Sequence, residues 1–470
     1  MIIKQFYLGC LAHASYLVID ERTRTAAVID PQRDIEQYLE EAERHGATID
    51  RVLLTHFHAD FVAGHLELRA RTGARIHLGA KATAEYAFEP LSDGDVVAFG
   101  DVRLEVLETP GHTPEGVSLV AKDAVQGDAP VAVFTGDTLF VGDVGRPDLL
   151  ASAGVTSTEL AGWLYDSLHE KLMALPDETT VYPAHGAGSL CGKNLGSETF
   201  TTIGTQRRSN YALQPMSKEE FIALVSTGQS VTPQYFPNSV AMNRAKRELL
   251  DDSLAGSLVP LSRERALELQ ADGAKLLDVR APREYAKGHA RGSLNVGLKG
   301  KFATWAGTVL SPKDRIVVIA DPGTEREAAM RLGRIGLDRV EGFLDGGVAA
   351  LGDDLVVLDE IEVGALAEEL ERKDDLVVLD VRAPGEREAG HIEGSLHVPL
   401  GELPTRIRDV PTEKRVAVVC KSGYRSTVSS SLLALHGHAR LVNVVGGMDA
   451  WAGAALPVRV PAGASGESCT

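Results

Sequence analysis

Positive charge is what this chain most lacks: 48 lysines and arginines stand against 66 aspartates and glutamates, a formal charge of −18. Nucleic acids and anionic membranes are held by basic surfaces, so a general role on either is excluded. An anionic substrate would need a local positive site, supplied by a metal, an arginine or backbone N–H groups. Cysteine is scarce as well. Cys10, Cys191, Cys420 and Cys469 are unevenly spaced and form no disulfide framework, so each is judged as a single thiol in a reducing compartment. No apolar run is long enough to span a bilayer. The start, Met1 to Phe6, has no basic region followed by a long apolar core. These absences lead us to expect a cytoplasmic protein without membrane contact.

What is present is ordinary globular material, 44% apolar and 24% charged. A length of 470 residues is too great for one core and implies roughly two to four domains. The first part alternates short β-like runs with helical ones. Tyr16 to Ile19 and Ala26 to Asp30 read as paired strands, Asp34 to His45 as an amphipathic helix stopped by Gly46, and His65 to Arg71 as a helix ended by Gly73. Further strands are expected at Val96 to Phe99, Arg103 to Leu107, Ser118 to Val120 and Val131 to Phe134.

The ends of these strands carry the chemistry. Val52-Leu53-Leu54 runs into Thr55-His56-Phe57-His58-Ala59-Asp60, and Leu104 to Leu107 runs into Thr109-Pro110-Gly111-His112. Val131 to Phe134 runs into Thr135-Gly136-Asp137, and Thr179 to Tyr182 into Pro183-Ala184-His185. A lone histidine at a strand end is usually a satisfied polar group. Four strands that each deliver a metal-competent side chain at the same end point to a metal site.

These motifs, in this order, resemble the metallo-β-lactamase superfamily over roughly residues 1 to 250. The resemblance implies an αββα sandwich with a metal at one edge of its two sheets. Binuclear hydrolases of that superfamily, such as glyoxalase II, carry histidine where this chain has Phe61. Asp60 and His185 would be left to build the second metal position alone, so one metal per domain is expected. The chain is most similar to the persulfide dioxygenase branch, whose single Fe(II) is held by two histidines and a carboxylate. Transferred residue by residue, this implies that His56, His112 and Asp137 are ligands. His58, Asp60 and His185 become groups that orient the ligands and handle protons. On spacing alone His58 serves equally well as a ligand, and zinc uses the same donors.

Three nearby segments are candidates for substrate contact. Arg146, in Leu139 to Asp148, would hold a carboxylate or order its loop. Cys191, in the flexible Gly186 to Gly192 segment, is either a sulfur relay or a packed thiol. Arg207-Arg208-Ser209-Asn210 would attract an anionic thiol cofactor or make structural salt bridges.

From about Ser257 the texture changes to βα units, and a repeat of about a hundred residues emerges. Leu276 to Glu284 recurs as Val378 to Glu386, Gly292 to Val296 as Gly394 to Val398, and Gly346-Gly347 as Gly446-Gly447. That period is a domain duplication. The expected division is 1–256, 257–353 and 354–470, with a small polar tail at Ala462 to Thr470. Each copy should hold a mostly parallel sheet covered on both faces.

In the second copy Val416 to Val419 leads to Cys420-Lys421-Ser422-Gly423-Tyr424-Arg425-Ser426 and then a helical run. A thiol that ends a buried strand and opens a helix sits among backbone N–H groups at a positive dipole end, which favours a thiolate. This copy resembles a rhodanese domain. The resemblance implies that Cys420 carries sulfane sulfur as a persulfide, while Arg425 and the amides of Lys421, Ser422, Gly423 and Tyr424 bind the anionic donor. The first copy reads Ala320-Asp321-Pro322-Gly323-Thr324-Glu325 at the same loop, so it should be catalytically silent.

The fold expected is therefore α/β and multi-domain: a metallo-β-lactamase-like sandwich followed by two rhodanese-like domains. The two resemblances imply a persulfide dioxygenase that oxidises a low-molecular-weight thiol persulfide with O₂ to sulfite and thiol at a mononuclear iron. Rhodanese transfer among persulfide, sulfite and thiosulfate through Cys420 would accompany it. A glyoxalase-II-like zinc thioester hydrolase with an appended sulfurtransferase, or a non-catalytic sulfur carrier, are the alternatives. The family's habit of self-association makes a homo-oligomer the expectation.

Overall fold

The structure, a computed structural model, describes residues 1–149, 154–193, 195–229, 231–372 and 375–460. The expected tail with Cys469 lies outside the described residues. Two compact units divide the chain, Met1–Asp252 with Gly333–Gly336, and Ser253–Leu332 with Leu337–Thr470. No helix among the described residues is long and apolar enough to cross a membrane.

In the first unit, six strands in sequence order make one sheet: β1 (Ile2–Leu8), β2 (His13–Ile19), β3 (Thr25–Ile29), β4 (Thr48–Leu53), β5 (Arg75–Gly79) and β6 (Glu89–Leu91). It is antiparallel from β1 to β3 and parallel from there on. The next six make the second sheet: β7 (Val96–Phe99), β8 (Val102–Glu108), β9 (Val117–Asp123), β10 (Pro130–Gly136), β11 (Thr180–Pro183) and β12 (Thr201–Thr202). Here only β10 and β11 run parallel.

Side-chain alternation sorts the core into layers. Ala132 and Phe134 of β10 point between the sheets, where they meet Tyr16, Ile29, Leu53, Leu104 and Leu119. Val133, between them in sequence, points the other way, into a layer with Leu164, Leu168 and Phe221. The helices α1 (Glu36–Arg44) and α2 (His65–Thr72) lie on the first sheet, while α3 (Ser157–Asp166) and the helix Lys218–Ser226 cover the second. The result is the αββα sandwich. The α1 helix is slightly shorter than its apolar pattern suggested, and α2 stops where Gly73 turns left-handed at φ +76°.

The second unit contains the repeat twice over. In the first copy the strand order is Pro260–Leu261, Val340–Leu344, Ile316–Ile319, Lys275–Asp278 and Leu294–Asn295. In the second it is Asp359–Ile361, Leu441–Val444, Arg415–Val419, Leu376–Asp380 and Leu396–His397. All neighbours in both five-stranded sheets are parallel. The recurring Asp-Val-Arg motif is a brace common to both. Arg280 donates through Nη2 to Asp278 at 2.6 Å and to the Gly288 carbonyl at 2.8 Å; Arg382 repeats this on Asp380 at 2.7 Å and Gly390 at 2.8 Å. Both acids are buried, so each pair stands largely out of water.

Because the brace is buried, removing one partner leaves the other charge uncompensated. Asp278→Ala should destabilise the first copy by about 3–5 kcal/mol. Denaturant unfolding of the full chain checks this, and an unchanged transition would refute the role.

Candidate functional site

Four strand ends build the first site. His56 follows β4, His112 follows β8, Asp137 follows β10 and His185 follows β11. His56, His112 and Asp137 offer ligand atoms within 4.8 Å of one another, and so do His58, Asp60 and His185. Asp137 joins the two groups. Its Oδ2 lies 3.8 Å from His56 Nε2 and 3.4 Å from His112 Nε2, and its Oδ1 lies 3.5 Å from His185 Nε2. Phe61 led us to expect Asp60 and His185 alone at the second position; His58 stands with them.

Hydrogen bonds on the far side of each ring set its tautomer. His112 Nδ1 donates to the Arg146 carbonyl at 2.9 Å, and His185 Nδ1 to the Ala12 carbonyl at 3.1 Å. The Thr55 hydroxyl gives its proton to Asp30 at 2.8 Å, so at 3.0 Å it accepts from His56 Nδ1. All three rings therefore turn an Nε2 lone pair toward Asp137. Burial, helped by the neighbouring His58 and His112 rings, holds the His56 imidazole well below its ordinary range and so neutral. Among the described residues, Asp60 Oδ1 and His185 Nε2 are buried without a hydrogen-bond partner, and neither Asp137 oxygen has an N–H or O–H donor. Buried polar atoms are normally satisfied, and a cation answers this set. A cavity of about 10 Å³, lined by His56, His112 and Asp137 among others, leaves room on the scale of a single ion or water. The donors present fit a metal.

Sequence reasoning missed the residues that hold this arrangement. Asp30, at the end of β3, takes hydrogen bonds from the Thr55 amide and hydroxyl, both at 2.8 Å, and lies 3.0 Å from His58 Nε2. Burial alone would lower the His58 imidazole, but the Asp30 carboxylate outweighs it and raises it. Asp30 and Ala12 are left-handed non-glycine residues, each at φ +50°, a conformation costing about 1–3 kcal/mol. Both bear directly on cluster histidines. Gly136 is needed for a related reason: at φ +51°, a Cβ there would come within 2.5 Å of Thr55 Oγ1.

Phe61 is fully packed, its ring centroid 3.9 Å from that of His13 and 4.3 Å from that of His58. His13 is itself buried, and burial holds its imidazole well below the ordinary range. Its place at the first residue of a strand gave no signal in the sequence. Tyr235, fully buried before the helix Phe236–Arg244, is another: burial and then the Asp60 carboxylate push its hydroxyl up, with the Cys191 and Cys10 thiols in the same field.

Of the other candidates, Cys191 reaches the site. Its Sγ lies within 4.8 Å of ligand atoms of Asp137 and His185, and burial, with the Asp137 carboxylate, pushes the thiol well up. Arg146 orders its loop. It is buried, forks onto Asp148 at 2.7 and 2.6 Å, and donates to the Leu190 carbonyl at 3.1 Å, so the loop takes up its hydrogen bonds. Arg207 pairs with Asp177 and donates to the Met173 and Leu175 carbonyls, a structural use.

The second site is the loop from Cys420 to Ser426. Cys420 is buried at the end of the strand Arg415–Val419, and its Sγ accepts from the Gly423 N–H at 3.1 Å and lies 3.5 Å from Ser426 Oγ. The helix Tyr424–Leu435 begins here, so its dipole adds to the amides. Gly447, at φ +56°, lets its backbone pass where a Cβ would sit 2.3 Å from the Cys420 carbonyl. Arg425 forks onto Glu386 at 2.6 and 2.7 Å. Burial raises the Glu386 carboxyl, but Arg425 more than reverses this and holds it below its usual range. In the first copy the matching amide, Gly323 N–H, donates at 2.8 Å to Glu325 Oε2. This loop has no thiol, and a carboxylate of the chain itself takes the amide that in the other copy faces sulfur.

Residues 8–185 match the model of the metallo-beta-lactamase superfamily, and residues 262–353 and 362–454 that of the rhodanese-like domain. Over 250 residues the chain is 30% identical to persulfide dioxygenase ETHE1 of Mus musculus, which spans 52% of this chain and 87% of that protein. Over 186 residues it is 36% identical to the cytoplasmic hydroxyacylglutathione hydrolase of Arabidopsis thaliana, spanning 39% of this chain and 67% of that one. A solved metallo-beta-lactamase from Staphylococcus aureus subsp. aureus COL is similar at 31% identity and a TM-score of 0.65, covering 73% of this chain and 98% of its own.

The contrast between the loops has a direct chemical readout. With Cys420 replaced by serine, a thiol installed by Ala320→Cys would meet Glu325 where Cys420 meets Arg425. Its alkylation at pH 7, followed by site-resolved mass spectrometry, should be about tenfold or more slower than that of Cys420 in the native chain. Equal rates would remove the electrostatic explanation of silence.

Proposed function

From a chain that belongs to the metallo-β-lactamase superfamily and carries two rhodanese-like domains behind that fold, we infer a persulfide dioxygenase coupled to sulfur transfer through Cys420. One observation carries the reading. A two-histidine, one-carboxylate cluster, His56, His112 and Asp137, occurs in the same chain as a thiol seated in an amide loop. Both halves suit sulfane sulfur, and a thioester hydrolase has no evident use for the second. The likeness to a persulfide dioxygenase supports the same choice.

The overall reaction is R–SSH + O₂ + H₂O → R–SH + SO₃²⁻ + 2H⁺. Iron(II) held by His56, His112 and Asp137 would supply the one-electron chemistry that ground-state O₂ requires. The protein does the rest. Hydrogen bonds to the Arg146 and Ala12 carbonyls and to Thr55 keep the imidazole lone pairs aimed. Asp60, its carboxyl raised by burial, and His58, braced by Asp30, would exchange the protons released. Cys191 is the thiol beside that cluster and would meet the substrate sulfur. At the second site, sulfite from the first is a natural acceptor for sulfane sulfur carried on Cys420. Arg425 and the amides of Lys421 to Tyr424 would hold the anion.

A binuclear zinc thioester hydrolase is the second reading, favoured by the group His58, Asp60 and His185 and by the hydroxyacylglutathione hydrolase likeness. Metal analysis with an oxygen electrode separates them. The expected result is bound iron and O₂ uptake on glutathione persulfide, with one sulfite formed per O₂. Bound zinc, no uptake and turnover of a glutathione thioester would overturn the reading. His58→Ala should lower uptake about 10–100-fold, the usual cost of losing a group that supports a ligand. Cys420→Ser should abolish sulfur transfer from thiosulfate to cyanide; if the native chain shows none, Cys420 is only a carrier.

A further inference from the structure

Three backbone groups of the turn that carries His58 and Asp60 are bound to one side chain. Asn243, in the last turn of the helix Phe236–Arg244, is fully buried. Its Nδ2 donates to the His58 and Phe61 carbonyls, each at 2.9 Å, and its Oδ1 accepts from the Ala63 N–H at 2.8 Å. These partners fix which way round the amide sits. The flipped form would set its oxygen against two carbonyls and its NH₂ group against an N–H. The helix end is held in turn, since the Tyr86 hydroxyl donates to the Asn243 carbonyl at 2.6 Å. Met242-Asn243-Arg244 carries no motif in the sequence.

Other bonds close the same turn at its far end. Arg247 donates to the Ala63 carbonyl at 2.7 Å and forks onto Glu67 of α2 at 2.6 and 2.8 Å. The Gly64 N–H donates to the Pro31 carbonyl at 2.9 Å, and a Cβ on Gly64 would run into the Gln32 carbonyl. Between these ends, Asn243 takes the two carbonyls that bracket Asp60. The turn aims both of its polar side chains. His58 Nε2 stands 3.0 Å from Asp30, and Asp60 Oδ2 stands 3.5 Å from His185 Nε2. His56 and His112 have supports of their own, in Thr55 and the Arg146 carbonyl, and Asp137 follows β10. Asn243 thus bears on His58 and Asp60 and not on the three ligand candidates.

We propose that Asn243 is a positioning residue for the reaction at the metal cluster: its amide shapes the His58–Ala63 turn so that His58 and Asp60 keep one geometry against Asp30 and His185. This deepens the proposed function and rests on its assignment of proton exchange to those two side chains. Buried carbonyls are costly to leave unbonded, so the amide gives the turn one stable path. Without it the two carbonyls turn to other partners and carry His58 and Asp60 with them. Misplacement of reacting groups by about 1 Å costs on the order of a hundredfold in rate.

Two variants of the full chain with its bound metal test this. Asn243→Leu has the same branched shape and loses all three bonds; Asn243→Asp keeps an acceptor for Ala63 and loses both donors. Metal ions per chain are counted by native mass spectrometry, and amide exchange is followed in the peptide from Thr55 to Gly64. Steady-state O₂ uptake is measured on glutathione persulfide. In Asn243→Leu, exchange in that peptide should be about tenfold or more faster, at an unchanged metal content. Its kcat per bound metal should fall about tenfold or more, with KM within about twofold of native. Asn243→Asp should lose a similar factor in kcat, and Tyr86→Phe, which leaves the side-chain bonds in place, should stay within about twofold. A merely structural role would lower the metal content or the folded fraction and leave kcat per bound metal unchanged. That result, or failure of both variants to fold, overturns the inference while leaving the function standing. A native chain without O₂ uptake overturns the function and the inference with it.

Discussion

The candidate site of the first unit is arranged around a buried carboxylate that has no N–H or O–H donor among the described residues. Asp137 is almost fully removed from water, and among the described residues neither of its oxygens receives an N–H or O–H bond. An isolated ionised carboxylate in such a place is costly by many kcal/mol, and proteins avoid it unless a cation compensates. The surroundings fit that compensation. Three imidazoles turn lone pairs toward Asp137, and their opposite nitrogens are held by carbonyls and a threonine hydroxyl. Two left-handed non-glycine residues, Ala12 and Asp30, supply or support those bonds. Their strain is carried at the site, and the packing of the sandwich stabilises it.

The duplicated unit holds two similar folds whose loops differ. The Asp-Val-Arg brace is the same in both copies to within about 0.1 Å at its shortest bond, so it serves folding and says nothing about catalysis. The loops differ where it matters chemically. One has a thiol that accepts from an amide and an arginine paired beside it; the other has a glutamate on the same amide. The two copies touch at the helix that opens the Cys420 loop, where the Tyr424 hydroxyl donates to the Gly297 carbonyl.

Much of this was legible in the residues. Period-two burial with polar stops located the strands, and four stops with His or Asp at one end marked the cluster before any geometry was known. The repeat and the missing thiol at Ala320 were visible by direct comparison of the two halves. What the chain could not disclose depends on long-range contact. Asp30 looks like an ordinary strand-end acid, and only the fold puts its carboxylate against Thr55 and His58. His13 and Tyr235 carry no motif and reach the site through tertiary packing. Arg146 offered two uses by its type, and the structure fills its hydrogen bonds with Asp148 and a backbone carbonyl. Phe61 was read as the loss of a ligand; in place, it is a ring packed against His13 and His58.

That packing bears on the account's central claim, that one metal sits at His56, His112 and Asp137 although His58, Asp60 and His185 lie close by. The most direct measurement is the number of metal ions per chain, by native mass spectrometry, in the native protein and in Phe61→His. The account predicts one ion in the native chain, lost in Asp137→Ala, and a second acquired when Phe61 becomes histidine. Two ions in the native chain would contradict it.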